Sequence, residues 1–189
     1  LLKRLLAERV TLYQKTNIVQ AEKFSDLLNR SLSSYLKGLL TNEEVIQELL
    51  KLAKEISSSE SAGNDLGLTR EEKSFYDALT KPQAVQDVYT NEQLVAMTKE
   101  LTETLRKNRT IDWQKKESAR AGMRKMIKRL LKKYHYPPEE AANALETVIR
   151  QCEQWTDNEE TISEPKLYSL QKSSYSMAAE PNVEYNKNN

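Results

Sequence analysis

The chain has few of the residues that most catalytic and metal sites require. Its 189 residues include one cysteine, one histidine and four glycines. One cysteine excludes an internal disulfide, and the single histidine and cysteine exclude a His/Cys zinc site and offer no obvious set of partners for a nucleophile. The glycines, at positions 38, 63, 67 and 122, are too dispersed for a phosphate-binding loop, and no P-loop motif is present. The sequence therefore predicts no metal, no cofactor and no catalytic residue of its own.

Long apolar runs are also missing. No stretch approaches the roughly 20 apolar residues that a membrane-spanning helix needs, and nothing resembles a signal peptide. An amphipathic helix lying on a membrane is a weaker reading, because the apolar side of the basic segment described below lacks the Trp or Phe expected there. These features predict a cytoplasmic protein without a membrane partner.

The composition favours helices. Glycine and proline are scarce, at 4 and 5 residues, and charged residues make up 30% of the chain, a balance that suits long amphipathic helices better than a turn-rich β fold. Three capping boxes, which satisfy the free backbone groups of a first helical turn, are recognisable at 41–44, 69–72 and 90–93. We therefore predict an all-α, compact bundle of about six to seven helices with a largely irregular C-terminal tail.

Changes in composition predict four parts. Residues 1–56 form an N-terminal helical segment, and because they open in helical phase without Met we expect them to continue an upstream helical region. Residues 57–68, SSSESAGNDLGL, have the small polar composition of a linker. Residues 69–155 form a C-terminal helical domain that contains a basic helix. Residues 156–189 have few aliphatic side chains and are predicted to be a disordered tail.

Positive charge is concentrated in one stretch. Between Arg106 and Lys133 there are twelve basic and two acidic residues, a net charge of +10, whereas the whole chain carries +1. The remainder therefore carries 1 minus 10, or −9. Such segregation of charge points to a charged partner, because an ordinary solvated surface mixes the two signs.

A helical arrangement of this stretch separates apolar from basic side chains. One side would carry seven residues at spacings of 3, 4, 7 and 8: Ala119, Met123, Met126, Ile127, Leu130, Leu131 and Tyr134. The other side would carry the candidate DNA-binding residues Arg120, Arg124, Lys125, Lys128, Arg129, Lys132 and Lys133. The apolar side is suited to a core and the basic side to an anionic partner.

The ends of the basic helix are predicted from local chemistry. Asp112 is a candidate N-cap for a helix that starts near Trp113, whose side chain we expect to be a packing anchor rather than a base-stacking platform. The helix should end near Tyr134 or His135, because the residue before a proline disfavours helical backbone. His135 is expected to tolerate positive φ in the turn. Structural roles are therefore assigned to Asp112, Trp113, Tyr134, Tyr136, Pro137 and Pro138, with the prolines starting the last helix.

Two kinds of partner fit the basic face. Double-stranded DNA would be held by its phosphates, which give affinity and salt dependence without sequence recognition. Alternatively, the face is a purely protein–protein docking module that binds an acidic surface. Titration with duplex DNA and with the partner proteins, using charge-removing variants, distinguishes the two.

Two segments resemble a known family. These are GLTREEKSFYDAL at 67–79 and TIDWQKKESARAGMRKMIKRLLKKYHYPPEEAANALETVIRQCE at 110–153. Their LT-x-EE-x-x-FYDAL, DW, basic helix and YPP motifs resemble the C-terminal region of the R (motor and endonuclease) subunit of type I restriction enzymes. One departure is His135, where the family usually has Gly between the two tyrosines.

The resemblance implies a role within a larger machine. Such subunits are ATP-dependent, site-specific deoxyribonucleases that translocate DNA, so ATP and Mg²⁺ are expected for a parent chain and not for this one. The resemblance implies a non-catalytic helical module that contributes to non-specific DNA contact and to assembly with the methyltransferase core and other subunits of the restriction complex. Under the docking alternative, the acidic surface would belong to the helicase domains or to that core.

Overall fold

The structure, a computed structural model, describes residues 1–110 and 113–162, with residues 157–162 described by their backbone alone. Over these residues the chain forms eight α-helices and no strand, which confirms the all-α class. They are α1 (Leu2–Thr16), α2 (Ile18–Leu36), α3 (Asn42–Asp65), α4 (Arg70–Thr80), α5 (Gln83–Val88), α6 (Asn91–Asn108), α7 (Glu117–Lys133) and α8 (Pro138–Ile162). The predicted tail from 156 is helical as far as 162, and its remainder lies outside the described residues.

Side-chain caps fix where several helices begin. The three predicted capping boxes are confirmed at the starts of α3, α4 and α6. In the first, Glu44 N donates to Thr41 Oγ1 at 3.2 Å while Thr41 N donates to Glu44 Oε2 at 2.7 Å. Asn17 caps α2 by accepting from Gln20 N at 3.1 Å. Each box satisfies backbone N–H groups that have no partner within the helix.

Helix α3 is longer than the sequence predicts. The predicted linker at 57–68 is helical as far as Asp65, and only a short turn with Gly67 at φ +62° separates α3 from α4. The prediction was wrong here because tertiary packing outweighs the weak helix propensity of serine and glycine. Gly63 is buried in the last turns of α3, where an added Cβ would lie 3.4 Å from Lys73 Cγ of α4. The division of the chain into domains at this point stays a prediction.

Buried apolar side chains form two clusters. The smaller cluster joins α1, α2 and α3 through Leu6, Val10, Tyr13, Ala21, Phe24, Leu28, Val45, Leu49, Leu52 and Ile56. The larger cluster draws on α4 to α8 and on the segment before α7, and its most enclosed members include Phe75, Leu79, Val85, Met97, Leu101, Trp113, Met123, Ile127, Val148 and Ile149. The basic helix therefore belongs to the second core.

Buried polar side chains connect the two clusters. Asp77 of α4 is 7% exposed and accepts hydrogen bonds from Asn17 Nδ2 at 2.7 Å and Gln20 Nε2 at 3.1 Å. Asp77 also pairs with Lys73, one turn earlier on α4. A buried carboxylate needs such compensation, because removal of its charge from water is costly. The start of α2 is thereby held against α4.

Gln151 of α8 makes a second connection at the same corner. Its side chain is fully buried; Oε1 accepts from Ile18 N at 2.9 Å and Nε2 donates to Thr16 O at 3.1 Å. It therefore satisfies backbone groups at the end of α1 and the start of α2, where neither helix supplies a partner. These bonds fix the α1–α2 corner against α8.

The turn between α7 and α8 follows the predicted pattern. Helix α7 ends at Lys133, and His135 takes the expected positive φ of 57°. Tyr134 is half-buried against the larger cluster, and Tyr136 is buried with its hydroxyl donating to Leu79 O at 2.6 Å. Pro138 is the first residue of α8, where a missing N–H costs little. Both tyrosines thus lie at the turn between α7 and α8, and Pro137 directly precedes the first residue of α8.

Replacing Tyr136 by phenylalanine is expected to lower the free energy of unfolding by about 1–2 kcal/mol near neutral pH, because Leu79 O would lose its donor. Burial raises the pKa of the Tyr136 hydroxyl. The stability that this group contributes is therefore complete below the ordinary tyrosine pKa of about 10 and falls as the pH rises above it. Urea denaturation between about pH 8 and pH 11 should show a steeper loss of stability in the parent chain than in Y136F. Parallel pH dependences would contradict this assignment.

Candidate nucleic-acid interface

Helix α7 begins later than the sequence predicts. Its first residue is Glu117, and Lys116 occupies the N-cap position without a side-chain cap. The predicted cap, Asp112, lies outside the described residues. Trp113 precedes the helix in a turn, with its N–H donating to Thr110 O at 3.2 Å. The helical pattern alone could not show this, because the backbone first turns to place the indole in the core.

Trp113 lies within the larger hydrophobic cluster. Its side chain is 0% exposed, and its Nε1–H donates to Thr156 Oγ1 of α8 at 3.1 Å. Thr156 in turn donates to Cys152 O at 2.9 Å. A fully enclosed ring has no face available for a nucleotide base, so base stacking by Trp113 is excluded in this conformation.

The apolar side of α7 packs as predicted. Met123, Ile127, Leu130 and Leu131 are buried in the larger cluster. The other predicted members are half-buried and pack against the same cluster: Ala119, Met126 and Tyr134. Burial of this side leaves the opposite side of the helix directed to solvent.

Four cations on that opposite side form what we call the cationic stripe: Lys125, Lys128, Arg129 and Lys132. All four are exposed. Their spacings of 3, 4 and 7 residues place them on one helical face, over about 10 Å at the helical rise of about 1.5 Å per residue. Among the residues that the structure describes, none of the four has a hydrogen-bond or ion-pair partner. The stripe is therefore a run of positive charge facing solvent.

The other three predicted DNA-binding residues pair with carboxylates of neighbouring helices. Arg120 Nη2 lies 2.8 Å from Glu153 Oε1, and Arg124 Nη1 lies 3.2 Å from Glu146 Oε2, both on α8. On the other flank, Lys133 Nζ lies 2.6 Å from Glu100 Oε1 of α6. The seven candidates thus form one central stripe and three flanking ion pairs.

The three carboxylates differ in how tightly they are held. Glu100 accepts hydrogen bonds from Lys133 Nζ and from the Tyr134 hydroxyl, the latter at 2.8 Å, and these bonds lower its pKa. Glu153 Oε1 is buried and its contact with Arg120 is not aligned as a hydrogen bond. The side chain of Glu146 is 53% exposed, which makes it the most exposed of the three carboxylates.

Sequence reasoning missed these carboxylates. Glu146 and Glu153 are seven residues apart, hence on one face of α8, while Arg120 and Arg124 are four apart on α7. In an antiparallel hairpin closed by the turn at 134–137, these two faces meet. Arg124 then lies beside Glu146, and Arg120 lies beside Glu153. The spacing of these residues therefore indicated the two ion pairs with α8. The contact with Glu100 depends on how α6 packs, and no local spacing indicates it.

The described surface has cavities near α7 and near α1. One, of about 500 Å³, opens beside the start of α7 and is lined by Gln114, Lys115, Glu117, Arg120, Ala121 and Arg124. Another, of about 420 Å³, lies among α1, α3 and α4. Neither contains a cluster of three or more His, Cys, Asp or Glu placed to hold a metal ion, and none occurs elsewhere in the described residues. None of the described helices has the length and apolarity to cross a bilayer.

These features define an all-α domain in which one amphipathic helix displays positive charge. A family model described as "Type I restriction enzyme HindI endonuclease subunit-like, C-terminal" matches residues 1–158. The chain therefore belongs to the family of C-terminal domains of HindI-like type I restriction enzyme endonuclease subunits. The resemblance to the R subunit predicted from the sequence motifs is confirmed.

Two relatives illustrate the family. The type I restriction enzyme HindI endonuclease subunit of Haemophilus influenzae is 39% identical over 153 residues, covering 81% of this chain and 14% of the relative. A putative type I restriction enzyme MjaIXP endonuclease subunit of Methanocaldococcus jannaschii is 30% identical over 131 residues, covering 69% of this chain and 12% of the relative. The chain thus spans only about a seventh of these relatives. No solved structure matches it.

Proposed function

We propose that this domain contacts duplex DNA without regard to sequence, through the phosphates facing the cationic stripe. The observation that carries the proposal is the exposure of Lys125, Lys128, Arg129 and Lys132 on one helical face, with no carboxylate partner among the described residues. Lysine and arginine at an exposed, rigid helix surface neutralise phosphates and release the counterions condensed on DNA. Such contacts carry no base information.

The packing of α7 supports this role. Its buried side chains hold the helix in place, so the four cations are displayed without the cost of folding a segment on binding. The relatives are named as endonuclease subunits of restriction enzymes, which favours DNA as the polyanion in this proposal. The nuclease and ATP-dependent translocation activities, with ATP and Mg²⁺, are proposed for the longer protein alone.

A salt titration of duplex binding tests the proposal. For the 189-residue chain, the plot of log K against log salt should have a slope of about −3.6 if four phosphates are neutralised. Each single replacement by glutamine should reduce its magnitude by about 0.9, equally for duplexes of unrelated sequence. The quadruple variant K125Q/K128Q/R129Q/K132Q should bring the slope near zero. Fluorescence anisotropy with labelled duplexes measures it.

A matched control separates the stripe from total charge. The variant K3Q/R30Q/K37Q/K54Q removes three lysines and one arginine that are exposed on α1 to α3 or beside them. This control variant changes the net charge by the same amount as the quadruple stripe variant. Its plot of log K against log salt should keep at least three quarters of the parent slope. If the stripe and control variants weaken DNA binding equally, the stripe is not the contact surface.

The same variants test protein docking. If the quadruple stripe variant binds DNA like the parent chain but no longer binds the helicase domains or the methyltransferase-core subunits of its restriction complex, the stripe is a docking surface and the DNA proposal fails. We propose docking of this domain within the complex as a contact separate from the stripe. This docking contact should therefore be retained in the quadruple stripe variant.

A further inference from the structure

We infer that Glu100, Glu146 and Glu153 compete with DNA phosphates for the flanking cations, and that they thereby limit how strongly this surface binds DNA. The inference rests on the proposed function, because it concerns the same surface. It assigns a role to the carboxylates: they restrict the phosphate contacts to the four stripe residues. Helix α7 carries seven cations, and three of them are paired with these carboxylates.

The geometry supports competition. One oxygen of each carboxylate lies 2.6 to 3.2 Å from a side-chain nitrogen of α7 that a phosphate oxygen would otherwise approach. A cation at this distance from one anion gains less from a second, because the first carboxylate would repel the incoming phosphate. The three carboxylates come from both flanks, Glu100 from α6 and the other two from α8. They therefore occupy the cations that flank the stripe on both sides.

The two more exposed ion pairs, Arg124–Glu146 and Lys133–Glu100, are not needed to hold the fold. Exposed pairs contribute about 0–1 kcal/mol, and α7 is already anchored by its buried apolar side. Arg124–Glu146 is the clearest case, with side chains 38% and 53% exposed. An ion pair that stabilises little yet occupies a binding cation has its main effect on binding.

Neutralising the carboxylates tests the inference. The variant E100Q/E146Q/E153Q frees three cations, so the salt slope should steepen from about −3.6 toward about −6.3. Raising the salt from about 50 to about 200 mM should lower the affinity of the parent chain about 150-fold and that of the triple variant about 6000-fold. E146Q alone, at the most exposed of the three carboxylates, should steepen the slope by about 0.9 with no loss of helical circular dichroism. An unchanged slope in a folded E146Q overturns the inference.

A control of equal charge excludes a general field effect. The variant E8Q/E48Q/E55Q removes three carboxylates that pair with Arg4, Lys51 and Lys23 on α1 to α3. It should steepen the slope by less than about 0.5, and an effect equal to that of the first triple variant overturns the inference. If the quadruple stripe variant leaves the parent slope unchanged, the proposed function itself has failed. If the stripe variant flattens the slope while both triple variants leave it unchanged, only the competition is disproved.

Discussion

Replacement of Trp113 by alanine is expected to lower the free energy of unfolding by about 3–5 kcal/mol, one of the two largest effects among the changes considered. The side chain is fully enclosed in the larger cluster, so its removal leaves a cavity and also removes the donor to Thr156 Oγ1. For a domain with ordinary marginal stability, this is a large fraction of the total. Urea denaturation followed by far-ultraviolet circular dichroism measures the change.

A phenylalanine at the same position separates the two causes. W113F keeps most of the apolar volume and loses the indole N–H, so it should cost clearly less than W113A, about 1–2 kcal/mol. A loss below about 1 kcal/mol in W113A would mean that the residue is not enclosed as described. Because Trp113 lies outside the cationic stripe, the folded fraction of either variant should keep the parent salt slope.

Replacement of Asp77 by alanine is expected to destabilise the chain by a similar amount, about 3–5 kcal/mol. The carboxylate is the shared acceptor for Asn17 Nδ2, Gln20 Nε2 and the Lys73 ammonium. Its removal leaves a nearly buried cation and two amides without their acceptor, and such groups cost more than the interaction itself contributes. The substituted position lies at the junction of the two hydrophobic clusters. Chemical denaturation of D77A measures it.

The chain contains a comparison for D77A. Glu103 and Lys107 of α6 form an ion pair with the same four-residue separation, but their side chains are 65% and 70% exposed. E103A should therefore cost less than about 1 kcal/mol, because water and salt screen an exposed pair. Equal losses in D77A and E103A would show that burial does not control the strength of these interactions.

Much of the fold could be predicted because its signals are local. The Thr41, Thr69 and Thr90 caps depend on residues three positions apart, and each was predicted correctly. The apolar side of α7 and the positive φ of His135 are local properties too. Trp113 could be recognised as a core residue from its size and chemistry alone.

What could not be predicted depends on contacts between distant parts of the chain. The polar run after Ile56 stays helical because α4 packs against Gly63, and that contact has no signature in the run itself. The late start of α7 likewise follows from the contact of Trp113 with α8. Charge alone could not separate the stripe from the three flanking cations, because the pairing partners come from α6 and α8.

Under the proposed function, the packing of α7 into the larger cluster would affect how DNA moves past the stripe. An α-helix advances about 5.4 Å per turn, whereas successive phosphates of one strand are about 3.4 Å apart along the duplex axis. Because these two periods are incommensurate, the cations of a straight stripe do not all meet phosphates at the same moment. As the duplex shifts, one contact weakens while another strengthens, so the total attraction stays nearly level. Under the proposed function, such a firmly held row of charges would let DNA of any sequence shift along it with little change in attraction.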